Sequence, residues 1–77
     1  NETSFRFAEA VIFNKKLLVN DDSVKERMYY NKNNMQIYHT AEDIDKEWFL
    51  KETEDYNYCG EFDTEYYFYN VLKCLPI

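Results

Sequence analysis

The chain has 77 residues, of which 45% are hydrophobic and 19% aromatic, and its net charge is −6. This length suits a single small domain over residues 1–77, with a thin core. The hydrophobic share argues against disorder, and no apolar run approaches the roughly 18 residues of a membrane span. A negative net charge also argues against direct binding to nucleic acid, which needs clustered Lys and Arg.

The first 19 residues are predicted to form two strands separated by a turn. In the segment SFRFAEAVIF, Phe5 and Phe7 alternate and residues 10–13 are continuously apolar, which favours a strand. Parts of the same segment also fit a helical stripe. Asn and Lys at 14–16 indicate a turn, and a short strand is predicted at Leu17–Val19 before the polar sequence NDDS.

The next segment predicts a β-hairpin. Apolar residues alternate over 24–30 and again over 35–39. The sequence NKNN between the two runs supplies four residues suited to a loop. We therefore expect two antiparallel strands in this part of the chain.

A change of periodicity predicts one short helix near residues 41–51. The carboxylates that follow Thr40 suit the positive end of a helix, and Thr40 itself can cap the first turn. Ile44 and Trp48 lie four residues apart, as on one face of a helix.

The final segment, DTEYYFYNVLKCL, fits two structures. The β-forming Tyr and Phe residues at its centre favour a strand over residues 64–75, whereas apolar pairs such as Phe68 and Leu72 form the stripe of a helix. With the strand, the chain is predicted to be an α+β domain, mostly an antiparallel β-sheet of about four to five strands with one short helix near residues 41–51. Its expected core residues include Trp48, Phe49, Phe62, Phe68 and Val71.

The two cysteines, Cys59 and Cys74, are predicted to form a disulfide. Closing that loop would stabilise the domain by about 3 kcal/mol, and it would indicate a secreted or extracytoplasmic protein. The alternative is two reduced cysteines that fill space in the core.

Catalytic and metal-binding patterns are absent from the sequence. His39 is the only histidine, and no nucleophile and orienting partner are apparent for it. The carboxylates do not follow the spacing of a calcium loop, and one histidine with two cysteines cannot make a zinc site of the usual kind. We therefore predict a protein without enzymatic activity, cofactor or metal.

The strongest functional signal is the acidic segment 42–65, where ten carboxylates stand against Lys46 and Lys51, a net charge of −8. Tyrosines are interspersed with the acids in its second half, and tyrosine is favoured at protein interfaces because it offers a large contact area at low entropic cost. Surrounding acids would select a basic partner. The predicted partner-binding residues are Glu54, Asp55, Tyr56, Tyr58, Glu61, Asp63, Glu65 and Tyr66.

The sequence therefore favours a small secreted binding protein, of the effector or inhibitor type, that docks a protein partner with a basic surface. We expect it to be a monomer in isolation and not to bind a membrane. An alternative is an intracellular viral or phage accessory protein that blocks a nucleic-acid-binding enzyme by DNA-like negative charge. A third is a structural subunit or a piece of a larger assembly.

Overall fold

A computed structural model describes residues 2–74, without the side chains of residues 2, 69, 71, 73 and 74. Two α-helices and two strands make up the regular structure, and short 3-10 helices lie in the connections. In chain order the elements are α1 (Glu2–Ile12), β1 (Leu17–Val19), a 3-10 helix (Asp22–Glu26), β2 (Met35–Ile37), two more 3-10 helices (Ala41–Asp43 and Lys46–Leu50) and α2 (Asp63–Cys74).

Helix α1 replaces the strand predicted for the first segment. Its buried side chains are Phe7, Ala8, Ala10 and Val11, whereas Glu9 between them is exposed. This spacing of three and four residues is the helical stripe that the sequence also allowed. The alternation of Phe5 and Phe7 was therefore misleading.

Strands β1 and β2 pair in parallel, with Leu17 opposite Met35 and Val19 opposite Ile37. The predicted hairpin is wrong, because residues 24–30 do not form a strand. Asp21 instead accepts a hydrogen bond from the backbone N–H of Ser23 and starts a 3-10 helix. The connection of residues 20–34 then carries the chain back to the same end of the sheet, as a parallel pair requires.

The core lies between α1 and the two strands. Phe7, Val11 and Val24 are at most 1% exposed, and Leu17, Val19, Met35 and Tyr56 complete the buried cluster. Trp48 is also buried, as predicted, and its indole N–H donates to the carbonyl of Asn33 at 2.8 Å. The expected core residues Phe49 and Phe68 are exposed instead, while Phe62 is half-buried against the core.

The single helix predicted near residues 41–51 is two short 3-10 helices. The Asp43 carboxylate accepts the backbone N–H groups of His39 and Thr40, which caps the start of the first of them. Ile44 is extended, and the Asp45 side chain then starts the second by accepting the N–H of Glu47. Of the residues in these two helices only Trp48 is buried, so too little apolar surface is covered to extend either one.

Helix α2 replaces the strand predicted for residues 64–75, and it packs on α1 through aromatic rings. Tyr66 stacks on Phe5 at a centroid distance of 5.4 Å and meets Phe13 edge-on at 5.7 Å. Just before α2, Phe62 meets Phe7 at 6.3 Å. The described fold thus has two helices and a two-stranded parallel sheet, with α1 between the sheet and α2, which corrects the predicted antiparallel sheet of four to five strands.

Candidate functional site

The acidic segment is attached to the loop that precedes β2. The buried side-chain amide of Asn34 donates to the carbonyl of Glu54 and accepts its N–H, both at 2.7 Å. Asn31 and Asn33 donate their side-chain amides to the Glu54 carboxylate at 3.1 and 2.9 Å. The carboxylate is therefore held at the surface by neutral donors.

Tyr29 organises the next part of the segment. Its hydroxyl donates to Oε1 of Glu61 at 2.6 Å and accepts the backbone N–H of Cys59 at 3.0 Å. The hydrogen bond to Glu61 raises the pKa of Tyr29 to about 12 and lowers the pKa of the Glu61 carboxyl. Glu61 is therefore ionised at neutral pH while its position is fixed.

Tyr58 holds a carboxylate in the same way at the start of α2. Its hydroxyl donates to Oδ1 of Asp63 at 2.8 Å and accepts the N–H of Phe62 at 2.6 Å. Burial, and then the hydrogen bond to Asp63, raise the pKa of Tyr58. The rings of Tyr29, Tyr58 and Phe62 also contact one another at centroid distances of 5.6 to 5.8 Å.

We call Tyr29, Glu54, Tyr58, Glu61 and Asp63 the acidic tyrosine face. The contacts above connect four of these residues, and Glu54 is bound to Asn31 and Asn33, which follow Tyr29 closely in the chain. All three carboxylate residues are exposed, and the two tyrosines are half-buried. The face offers negative oxygen atoms in fixed positions beside aromatic carbon. Such a surface can accept hydrogen bonds from Lys or Arg and pack against the stems of those side chains.

The other predicted partner-binding residues lie in different surroundings. Tyr56 is buried in the core at 7% exposure, where its hydroxyl donates to the carbonyl of Lys15 at 2.8 Å. Asp55 is exposed and accepts the N–H of Asn57 at 2.7 Å. Glu65 and Tyr66 line a groove between α1 and α2.

The cysteine pairing stays a prediction. Cys59 is an exposed free thiol whose Sγ donates to the carbonyl of Asn57 at 3.4 Å. The side chain of Cys74 lies outside the described residues.

Sequence reasoning missed Tyr29 and Asn34, which position most of the acidic tyrosine face. The sequence pattern places Tyr29 in a predicted strand and Asn34 in a predicted loop. Their partners lie 20 to 32 residues away in the chain, so no local pattern connects them. The density of Asn and Tyr in the sequence MYYNKNN was the only available hint.

Other kinds of site find no support within residues 2–74. No group of three or more His, Cys, Asp or Glu side chains is arranged there to hold a metal ion. His39 is exposed, with Nε2 3.5 Å from Oδ1 of Asp22, on the surface rather than in a cleft. In that same part of the chain no helix is long and apolar enough to cross a membrane.

Comparisons of the chain with protein-family models, with curated proteins and with solved structures found no match. Its function must therefore be inferred from its own residues. The acidic tyrosine face and the adjoining groove are the two surfaces whose chemistry bears on that inference.

Proposed function

We propose that the protein is a non-enzymatic binding module that docks a protein partner with a basic surface. The acidic tyrosine face is the contact surface, and Glu65 extends it along α2. Such a module acts as an effector or inhibitor by covering its partner's surface. In the secreted form of this proposal, Cys59 and Cys74 pair.

One observation carries the proposal: the carboxylates of Glu54, Glu61 and Asp63 are each held by neutral donors. Asn31 and Asn33 hold Glu54, and tyrosine hydroxyls hold the other two. A carboxylate held by an amide or a phenol leaves its negative charge uncompensated, whereas a Lys or Arg partner brings the net charge of the pair to zero. Three charges in fixed positions therefore remain available to a cationic partner.

Fixed positions also lower the entropic cost of docking. A mobile surface carboxylate must be immobilised when it forms an ion pair, and exposed pairs contribute only about 0–1 kcal/mol for that reason. The hydrogen bonds of Tyr29 and Tyr58 immobilise Glu61 and Asp63 before any partner arrives. This preorganisation distinguishes the face from a solvated acidic surface that only maintains solubility.

The test compares a charge-neutralised variant with a matched control. In the triple variant E54Q/E61Q/D63N each carboxylate becomes an amide that still offers an oxygen to its tyrosine or asparagine donor. The control E26Q/E42Q/E47Q removes the same number of charges from exposed residues of the 3-10 helices. Immobilised wild type and both variants are used to capture proteins from extract at about 50 and about 500 mM NaCl.

We expect wild type and the control to retain basic proteins at low salt and to release them at high salt. The triple variant should retain about tenfold less of these proteins at low salt. Circular dichroism checks that all three chains are folded. Equal capture by the triple variant and wild type, or capture that is insensitive to salt, would falsify the proposal.

The intracellular alternative, imitation of nucleic acid, is favoured by the exposed free thiol of Cys59, because unpaired surface thiols are typical of reducing compartments. The same captures distinguish the two proposals. Retained proteins that duplex DNA displaces at constant ionic strength support imitation of nucleic acid. Retained proteins that DNA does not displace support the binding module.

A further inference from the structure

The groove between α1 and α2 is a largely apolar concavity. It encloses about 200 Å³ and is lined mainly by Phe5, Ala8, Tyr66, Phe68 and Leu72, with the Glu65 side chain as its charged member. The rings of Phe5 and Tyr66 line it, and their stacking holds the two helices together.

Large apolar side chains continue from the groove onto the surface. Phe68 is 64% exposed and Leu72 is 46% exposed, and they lie one helical turn apart on α2. Tyr67 and Phe13 are also more than half exposed, and both contact the ring of Tyr66. An apolar patch of this kind beside charged residues typically marks an interaction site.

The length of α2, which forms one wall of the groove, suits a helix. Helix α2 has 12 residues and so runs for about 18 Å, which corresponds to three turns of a ligand helix lying along it. Apolar side chains at positions i, i+3 or i+4, and i+7 of such a ligand would meet Phe5, Phe68 and Leu72 in turn.

The charge around the groove selects the kind of helix. Glu65 lines the groove, and Glu61 and Asp63 of the acidic tyrosine face lie at the end where α2 begins. A second copy of this chain would bring a net charge of −6 against these carboxylates, and an anionic lipid surface would be repelled in the same way. Lys or Arg on the flank of an apolar helix would be attracted.

We propose that the groove between α1 and α2 binds an amphipathic helix with basic residues, presented by the protein partner. This inference rests on the proposed function and names the structure of the partner's binding element. Phe68 and Leu72 are its apolar anchoring points, and Glu65 with the acidic tyrosine face orients the basic flank.

The probe is a synthetic peptide of about five helical turns, built from Leu, Ala and Lys so that Leu forms one face. A scrambled peptide of the same composition has the same charge but no apolar face. Both are labelled and titrated with the protein in a fluorescence anisotropy experiment. The protein is used as wild type, as F68A/L72A and as F49A/L50A.

The variant F49A/L50A is a matched control, because Phe49 and Leu50 are also exposed and lie on a 3-10 helix outside the groove. We expect the amphipathic peptide to bind wild type and this control with equal affinity. Its affinity for F68A/L72A falls about tenfold or more, and the scrambled peptide binds wild type at least about tenfold more weakly.

Three results would overturn the inference in distinguishable ways. If both peptides bind wild type equally and salt releases them, the proposed function stands and the groove does not select a helix. If neither peptide binds, the proposed function and this inference both fail. If sedimentation shows a dimer that F68A/L72A abolishes, the groove is an interface between copies of the chain.

A second readout avoids any effect of the substitutions on folding. Chemical shifts of wild-type backbone amides are followed while the amphipathic peptide is added. Changes concentrated at Phe5, Ala8 and residues 65–72 support the groove. Changes centred on residues 46–50 contradict it.

Discussion

The side-chain amide of Asn34 takes the place of a backbone peptide group in pairing with Glu54. This amide is fully buried and forms both hydrogen bonds with the backbone of Glu54 that a neighbouring strand would form. The backbone carbonyl of Asn34 accepts the N–H of Leu17, and so one residue joins β1 to the acidic segment. The extended chain at Glu54 is therefore attached to the sheet without being a strand of it.

Replacing Asn34 with Ala should lower the free energy of unfolding by about 2–4 kcal/mol, because the N–H and C=O of Glu54 lose their partners at a partly buried site and the buried amide is removed. Urea unfolding followed by tryptophan fluorescence measures the change. Asn20 is exposed, and N20A should change stability by less than about 0.5 kcal/mol. Similar values for the two variants would show that the Asn34 amide is not needed.

Tyr29 holds an unusual backbone conformation, with φ at +75°. A bulky side chain rarely adopts this left-handed region, and such residues tend to occur at functional sites. The hydroxyl contacts with Cys59 and Glu61, together with two ring contacts, hold Tyr29 in place. No sequence pattern indicates this conformation, and the sequence analysis therefore does not identify Tyr29 as a candidate site residue.

Among the elements, β1 was predicted at its observed bounds because NKK and NDDS enclose three apolar residues. The helices α1 and α2 were predicted as strands because their Phe and Tyr residues favour strands locally, although a helical stripe was present in both. Packing between the two segments favours the helix over the strand in each. Each helix places rings against the other through Phe5, Phe13 and Tyr66.

The sequence of the predicted binding segment does not show which of its residues lie at the surface. Glu61 and Asp63 are held by the hydroxyls of Tyr29 and Tyr58, and the role of these carboxylates in partner binding stays a prediction. Tyr56 belongs to the core, because its hydroxyl finds a buried partner in the carbonyl of Lys15. Which tyrosine in a mixed segment points inward depends on such distant partners, which a single sequence does not reveal.

At the scale of elements, Tyr66 is expected to hold α2 onto α1. Replacing it with Ala removes the stack on Phe5 and the edge contact with Phe13, so α2 should open locally without unfolding of the core. Amide hydrogen exchange in α2 should become about ten- to a hundredfold faster, while exchange at Val11 is unchanged.

The matched control for this experiment is Y67A, since Tyr67 is the neighbouring tyrosine and is 66% exposed. Its exchange rates in α2 should stay within about threefold of wild type, apart from the small loss of its contact with Tyr66. Equal acceleration in both variants would mean that helix propensity, rather than docking on α1, protects α2.

Across the described part of the molecule, tyrosine hydroxyls form hydrogen bonds between residues that are distant in the chain. Two of them connect the acidic segment to the rest of the fold, through Glu61 and the carbonyl of Lys15, and a third, that of Tyr58, connects two parts of the segment at Asp63. Each donates a proton in its bond. The stability of the domain therefore depends on these phenols remaining protonated.

The domain should consequently lose stability at high pH. Tyr29, through its bond to Glu61, and Tyr56, through burial, both have a pKa of about 12, whereas an unfolded tyrosine ionises near pH 10. Between these values the unfolded chain holds fewer protons than the folded one. Below about pH 10 these two tyrosines contribute their full share to the free energy of unfolding, and this contribution is lost as the pH rises toward 12.

Urea unfolding at about pH 8, 10 and 11 measures this decline. The variant Y56F removes one of the titrating groups, so its stability should fall less steeply over the same range, whatever its stability at pH 8. Lysines titrate equally in both chains and do not affect the comparison. A parallel decline in wild type and Y56F would contradict the role given to Tyr56.

The direction of these hydrogen bonds also bears on covalent modification of the tyrosines. A phosphate or sulfate ester on Tyr58 would remove the proton that Asp63 accepts and would place two anionic groups against each other. The same holds for Tyr29 and Glu61. The hydroxyl of Tyr67, a residue that is 66% exposed, does not belong to the acidic tyrosine face, so an ester there would not meet these carboxylates. In the folded domain, phosphate or sulfate esters should therefore form on Tyr67 rather than on Tyr29 or Tyr58.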